Sequence, residues 1–266
     1  MINGLEALGS GQIEQIGGRN HVKQPAIIAH RGMVHEAPEH TLAGFSLAAA
    51  FDPDALEFDL QLSRDGRLVV CHDLKVDRTT DGRGRVCDLT LDELKKLDAG
   101  SWFGPEFAGE RMPTLEEVLS LLARTGWDGT IYLELKTVRY DYPGIEEALA
   151  ATLLEFGVAE RTVVNSFNHH SLVRMHAALP GIRTTCVDGS RMVRPWAYVQ
   201  SIGSAGYAPH ASAIDQELVD ECHRAGIFVI AWTVDDAKEM LRLARLGVDG
   251  IITNRPDVMR ACLSGE

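Results

Sequence analysis

Two histidines and three acids are placed along this chain so that an alternating backbone would bring them to one spot. They are His30 and His72 with Glu57, Asp59 and Glu134, accompanied by the cations Arg31 and Lys136. Glu57 and Asp59 stand in Leu56-Glu57-Phe58-Asp59-Leu60, and Glu134 and Lys136 in Leu133-Glu134-Leu135-Lys136. Successive side chains of a strand point to opposite faces, so if the leucines and Phe58 pack outward, the charged residues all project to the other side. Three buried carboxylates without compensation repel one another and are costly to desolvate. A hard divalent cation with oxygen ligands removes that cost. The competing arrangement is a salt-bridge network in which Arg31 and Lys136 neutralise the acids alone. Imidazole titrates near neutral pH and suits acid/base work; arginine can hold a phosphate oxygen bidentately, and lysine supplies a point charge. Together these groups describe phosphoester cleavage better than carbon–carbon chemistry. Phe167 and Trp232 would form an apolar wall for an alcohol moiety, unless they serve only core packing.

The elements that must position these groups read as repeated strand–helix units. Apolar runs recur at Ala26–Ala29, Ala55–Leu60, Thr130–Leu135, Thr162–Val164, Ile182–Val187, Ala205–Ala208, Phe228–Trp232 and Gly250–Ile252. Helical spacing follows at Thr41–Phe51, Thr114–Arg124, Gly144–Phe156, His169–Ala178, Asp215–Arg224, Asp236–Leu246 and Pro256–Leu263. Such alternation indicates βα units and a parallel sheet. Thr114 with Glu117, and Asp235, read as helix starts; Gly157, Gly226 and Gly247 read as helix ends. Eight units, with no glycine-rich dinucleotide fingerprint after any run, predict a closed (β/α)₈ TIM barrel of the α/β class. In that fold chemistry sits at the C-terminal ends of the strands, where these residues fall. Residues 1–24 read as an N-terminal extension and 25–266 as the barrel domain. Residues 73–112 read as a small insertion after the second strand, with a short helical piece at Leu91–Leu97.

Composition narrows the partners. The 266 residues carry 26 basic and 38 acidic side chains, a net charge of −12. With no Lys/Arg cluster, this excludes a nucleic-acid binder and points to a small-molecule substrate. Five scattered cysteines without metal-like spacing suit a reducing compartment, and the N-terminus shows no secretory pattern, so a cytoplasmic location is expected. No apolar run is long enough to span a bilayer, so no integral membrane segment is expected. A homo-oligomer is compatible with the sequence, which leaves the oligomeric state open. The remaining histidines carry weaker signals: His21, His176 and His223 read as solvated, His169 and His170 as a helix start. His35 and His40 lie close enough to the site to matter.

The ordered set His30-Arg31-Gly32, Ala37-Pro38-Glu39-His40-Thr41, Glu57-Phe58-Asp59 and His72-Asp73 with Arg78-Thr79-Thr80 resembles the glycerophosphodiester phosphodiesterase family. Pro113-Thr114-Leu115, Leu133 to Lys136, Ala231 to Val234 and Gly247 to Pro256 agree, so the resemblance covers about residues 25–260. It implies catalysis by His30 and His72, metal binding by Glu57, Asp59 and Glu134, and phosphate contact by Arg31 and Lys136. The implied reaction is hydrolysis of glycerophosphodiesters to sn-glycerol 3-phosphate and an alcohol with one divalent cation, Mg²⁺ preferred and Ca²⁺ possible. The attacking group is then either water or the substrate's own neighbouring hydroxyl, which would give a cyclic phosphate first. The alternatives are the same chemistry on a lysophospholipid or a sugar phosphodiester, and an inactive phosphodiester-binding barrel. His40 departs from the family's asparagine in the Pro-Glu-Asn-Thr stretch. It is expected to replace that amide's hydrogen bond and orient a ligand or Arg31, the alternative being a titrating group beside the metal.

Overall fold

The computed structural model describes residues 24–265; the expected N-terminal extension lies outside the described residues except for Gln24. Eight parallel strands close on themselves: β1 (Ala26–His30), β2 (Ala55–Leu62), β4 (Thr130–Leu135), β5 (Thr162–Ser166), β6 (Arg183–Asp188), β7 (Gly206–Pro209), β8 (Phe228–Ala231) and β9 (Gly250–Thr253). β1 pairs with both β2 and β9, which seals the barrel, and the short β3 (Leu68–Val70) folds back antiparallel on β2. Parallel neighbours need a long crossover, and helices supply it. They are α1 (Leu42–Phe51), α3 (Leu115–Thr125), α4 (Ile145–Glu155), α5 (His169–Ala178), α6 (Pro195–Ser201), α7 (Gln216–Arg224), α8 (Ala237–Leu246) and α9 (Pro256–Ser264). Between β3 and α3 lie three single 3₁₀ turns and the short α2 (Leu91–Leu94), with a small core of their own around Val76, Val86, Leu94 and Met112.

The alternation within strands sorts the residues as the spacing requires. Leu56, Phe58, Leu60, Leu133 and Leu135 pack outward with Phe45, Ala48, Leu115 and Leu119 of the helices. Ile28, Ala55, Tyr132, Val163, Val187, Ala208, Ile230 and Ile252 fill the barrel axis as a separate layer. His30, Glu57 and Glu134 stand one inward step beyond Ile28, Ala55 and Tyr132, and Asp59 one step further along β2, toward the C-terminal mouth. Thr114 and Glu117 form a full capping box on α3, and Gly247 ends α8 in the left-handed conformation. Asp236, rather than Asp235, caps α8. Cys71, Cys186 and Cys222 are buried, Cys87 and Cys262 are partly exposed, and none is in a disulfide. Among the described residues no helix is long and apolar enough to cross a membrane.

Candidate active site

Strand register builds the acidic cluster. Asp59 of β2 stands opposite Glu134 of β4, and Glu57 of β2 opposite His30 of β1. Oxygen atoms of Glu57, Asp59 and Glu134 lie within 4.8 Å of one another, and all three residues are buried. Lys136 Nζ sits 2.6 Å from Glu134 Oε1 and 3.0 Å from Asp59 Oδ1, and Arg31 Nε 3.4 Å from Asp59 Oδ2. Both cations assigned by resemblance to phosphate are therefore also neighbours of the acids.

Three carboxylates face these two cations, and the imbalance shows in their ionisation. Burial, reinforced by Asp59 and Glu134, pushes Glu57 well above the usual carboxylate range. Burial also lifts Glu134 to about 7, against the pull of Lys136. Asp59 goes the other way: burial raises it, but Lys136, His40 and Arg31 together outweigh that and hold it well below its ordinary value. Glu57 Oε2 is a buried oxygen without a hydrogen-bond donor, and Asp59 Oδ2 is reached only by the contacts of Arg31 Nε at 3.4 Å and His40 Nε2 at 3.2 Å. An orphaned acceptor in a cluster of excess negative charge fits a hard divalent cation. Salt bridges from Arg31 and Lys136 alone do not complete the set.

The loop after β1 reaches the site through unusual backbone. Arg31 and His40 are both left-handed (φ 61° and 57°), and Gly32 follows at φ 94°. A Cβ on Gly32 would meet the Gly44 carbonyl carbon at 3.0 Å, so only glycine lets the loop lie on the start of α1. Non-glycine residues held with positive φ concentrate at functional sites. Hydrogen bonds from Arg31 N to Glu57 O and from His40 N to Arg31 O hold this loop against β2.

The two histidines are held differently. His30 Nδ1 lies 2.7 Å from Asn254 Oδ1, and Asn254 Nδ2 donates to Asp235 Oδ2 at 2.8 Å. That second bond fixes the amide so that its oxygen faces His30, which makes His30 Nδ1 the donor and leaves Nε2 with its lone pair. Nε2 stands 3.7 Å from Glu57 Oε2. Burial, with Arg31 adding repulsion, drives His30 down to about 3, so the ring is neutral. His72, just beyond β3, pairs its Nδ1 with Asp73 Oδ1 at 2.7 Å. Hydrogen bonds from Arg78 hold Asp73 near 2, so it is an anion that stabilises an imidazolium. No hydrogen bond or ion pair among the described residues joins His72 to the acidic cluster.

Phe167 and Trp232 extend from β5 and β8 and meet edge to face at 5.3 Å between ring centres, although β6 and β7 lie between those strands. Trp232 donates Nε1–H to Ala208 O and packs against His210, whereas Phe167 remains about a third exposed. The other histidines are more engaged than their sequence positions suggest: His176 contacts Thr184 Oγ1 at 3.0 Å, and His223 contacts Asp249 at 2.7 Å, so neither is merely solvated. Asn254 and Asp73 are site residues for which types and spacing assigned no role, and Asp235 was read only as a helix start. The available signal was position, in the segments that follow β9, β3 and β8.

A family model described as the glycerophosphoryl diester phosphodiesterase family matches residues 30–258. A glycerophosphodiester phosphodiesterase of Caldanaerobacter subterraneus subsp. tengcongensis is 42% identical over 233 residues, covering 88% of this chain and 95% of that one. One from Bacillus subtilis is 36% identical, covering 90% and 86%. The structure of an Oleispira antarctica phosphodiesterase in complex with the product sn-glycerol-3-phosphate superposes with a TM-score of 0.81 at 33% identity, covering 91% and 97%. Fold, cluster and sequence agree: the chain belongs to the glycerophosphoryl diester phosphodiesterase family.

Proposed function

We propose that this chain hydrolyses glycerophosphodiesters to sn-glycerol 3-phosphate and an alcohol, with a divalent cation held by Glu57, Asp59 and Glu134. The observation that carries the reading is the meeting of three buried carboxylates at the barrel mouth beside His30. A bound cation would polarise a phosphoryl oxygen and offset charge as it develops; the oxygen-only ligands suit Mg²⁺ or Ca²⁺, with Mg²⁺ preferred. Arg31 and Lys136 contribute positive charge on the same side and draw the phosphodiester into an otherwise acidic protein.

His30 Nε2, unprotonated and buried, takes the proton of the attacking hydroxyl; water as the attacker gives sn-glycerol 3-phosphate directly, whereas the substrate's glycerol hydroxyl gives a cyclic phosphate that water must then open. The phosphorus–oxygen bond to the alcohol breaks as the new bond forms. His72, its Nδ1–H on Asp73, gives the Nε2 proton to the leaving oxygen. Phe167 and Trp232 form the wall that the alcohol meets. Five unpaired cysteines suit a cytoplasmic setting. The test is a phosphodiester panel assayed with Mg²⁺, Ca²⁺, Mn²⁺ and EDTA. Cation-dependent release of sn-glycerol 3-phosphate supports the reading; release of a lysolipid or sugar phosphate in preference would replace its substrate.

A further inference from the structure

We propose that Arg78 is a positioning residue for His72, because one guanidinium clamps the carboxylate that orients His72 and the carboxylate that holds Arg31. Arg78 Nε donates to Asp73 Oδ2 at 2.7 Å and Nη2 to Oδ1 at 3.2 Å. On its other edge Nη1 donates to Glu39 Oε2 at 2.7 Å and Nη2 to Oε1 at 2.8 Å. Asp73 Oδ1 also meets His72 Nδ1 at 2.7 Å, and Glu39 Oε1 accepts from Arg31 Nη1 at 3.1 Å. The chain His72–Asp73–Arg78–Glu39–Arg31 therefore ties the turn after β3 to the loop after β1.

The geometry separates this clamp from an ordinary surface ion pair. Exposed pairs contribute little, but two planar bidentate pairs on one guanidinium fix direction as well as charge. Both carboxylates sit near 2. Burial raises Glu39, but its hydrogen bonds with Arg78 and the charges around it outweigh that, and Asp73 is lowered first of all by Arg78. Without Arg78, Asp73 is free to rotate and His72 loses the partner that fixes which nitrogen faces the substrate. Lysine carries the charge but cannot make four directed bonds to two carboxylates. Arg78 is half-exposed, so its removal opens no core cavity.

The inference rests on the proposal that His72 protonates the leaving oxygen, and it predicts a loss that depends on the leaving group. Wild type, Arg78→Ala, Arg78→Lys and His72→Ala would be assayed with Mg²⁺ on glycerophosphocholine, whose alkoxide needs a proton, and on the p-nitrophenyl ester of glycerol phosphate, whose leaving anion does not. Arg78→Ala should lower kcat on the choline ester by about 10- to 100-fold, within the range of acid catalysis, with KM little changed. The aryl ester should lose only a few-fold, and added guanidinium should restore part of the loss. Arg78→Lys should show the same selectivity with a smaller loss, and it carries the test if the alanine variant does not fold. Equal losses on both esters, or none, would overturn the proposal while leaving the phosphodiesterase reading intact. If His72→Ala itself lost both equally, the acid assignment would fall and this proposal with it. If wild type cleaved neither ester, the functional reading itself would fail.

Discussion

His40 Nε2 lies 3.2 Å from Asp59 Oδ2, so the residue that departs from the family's asparagine touches one of the three clustered acids directly. His40 is buried and left-handed, a conformation that asparagine and histidine both adopt more readily than most residues. Asparagine at this position is therefore expected to keep the backbone conformation. We expect His40→Asn to retain turnover within about 10-fold, the span expected for a residue that orients a ligand, and to leave the pH slope of apparent metal affinity between about 5.5 and 8 parallel to wild type. A clear difference in slope would show instead that the imidazole titrates against the cation. His40→Val should be far worse, because a β-branched residue is strained at this φ.

His30→Ala and His72→Ala should each fold and each lose about 10²-fold or more in turnover, the usual scale for an acid or base. The double variant should lose much less than the product of the two, because both serve one proton-transfer sequence. Near wild-type turnover in either single variant, with circular dichroism confirming the fold, would remove that histidine from the mechanism.

The alkaline side of the pH profile should report His72. Burial lowers it below its ordinary value; Asp59 and Asp73 act to raise it, while Lys136 and Arg31 lower it further. An acid must carry its proton, so kcat/KM should fall as pH rises through this pKa. Asp73→Asn removes one raising charge and should move the alkaline limb to lower pH. An unmoved limb, or one displaced upward, would contradict the assignment.

Metal binding should also be visible in stability. Glu134 is raised from 4.5 to about 7 in the folded chain, so its contribution to stability is present below about pH 4.5 and is lost as pH rises through about 7. A cation ligated there favours the ionised form and reverses the loss. Thermal denaturation should therefore show a larger Mg²⁺-induced rise in Tm at pH 8 than at pH 5.5. An equal rise at both would place the cation elsewhere.

Trp232→Ala should alter KM across alcohol groups more than kcat on the proposal that Trp232 and Phe167, which meet edge to face, form the wall the alcohol meets. Comparison of choline, ethanolamine and glycerol esters measures it; a uniform fall in kcat would instead assign Trp232 to core packing.

The barrel and its acidic cluster were legible because β-strand alternation is strict: outward Leu56, Phe58 and Leu60 force Glu57 and Asp59 inward, and register then sets Asp59 beside Glu134. α6 gave no comparable signal, being only seven residues beginning at Pro195. The choice between Asp235 and Asp236 as the α8 cap was not local, because Asp235 is taken by Thr253 and Asn254 at the end of β9. For the same reason the orientation of His30 by Asn254 and the Arg78 clamp were hidden: each joins residues far apart in the chain, through side-chain angles that no periodicity encodes.

Turnover of a glycerophosphodiester by chelator-stripped protein, before and after Mg²⁺ or Ca²⁺ is titrated back, tests the central claim most directly. The account predicts that stripping abolishes release of sn-glycerol 3-phosphate and that the cation restores it in wild type but not in Glu57→Gln, which keeps the size of a buried side chain while removing its charge. Full turnover after exhaustive chelation would contradict it.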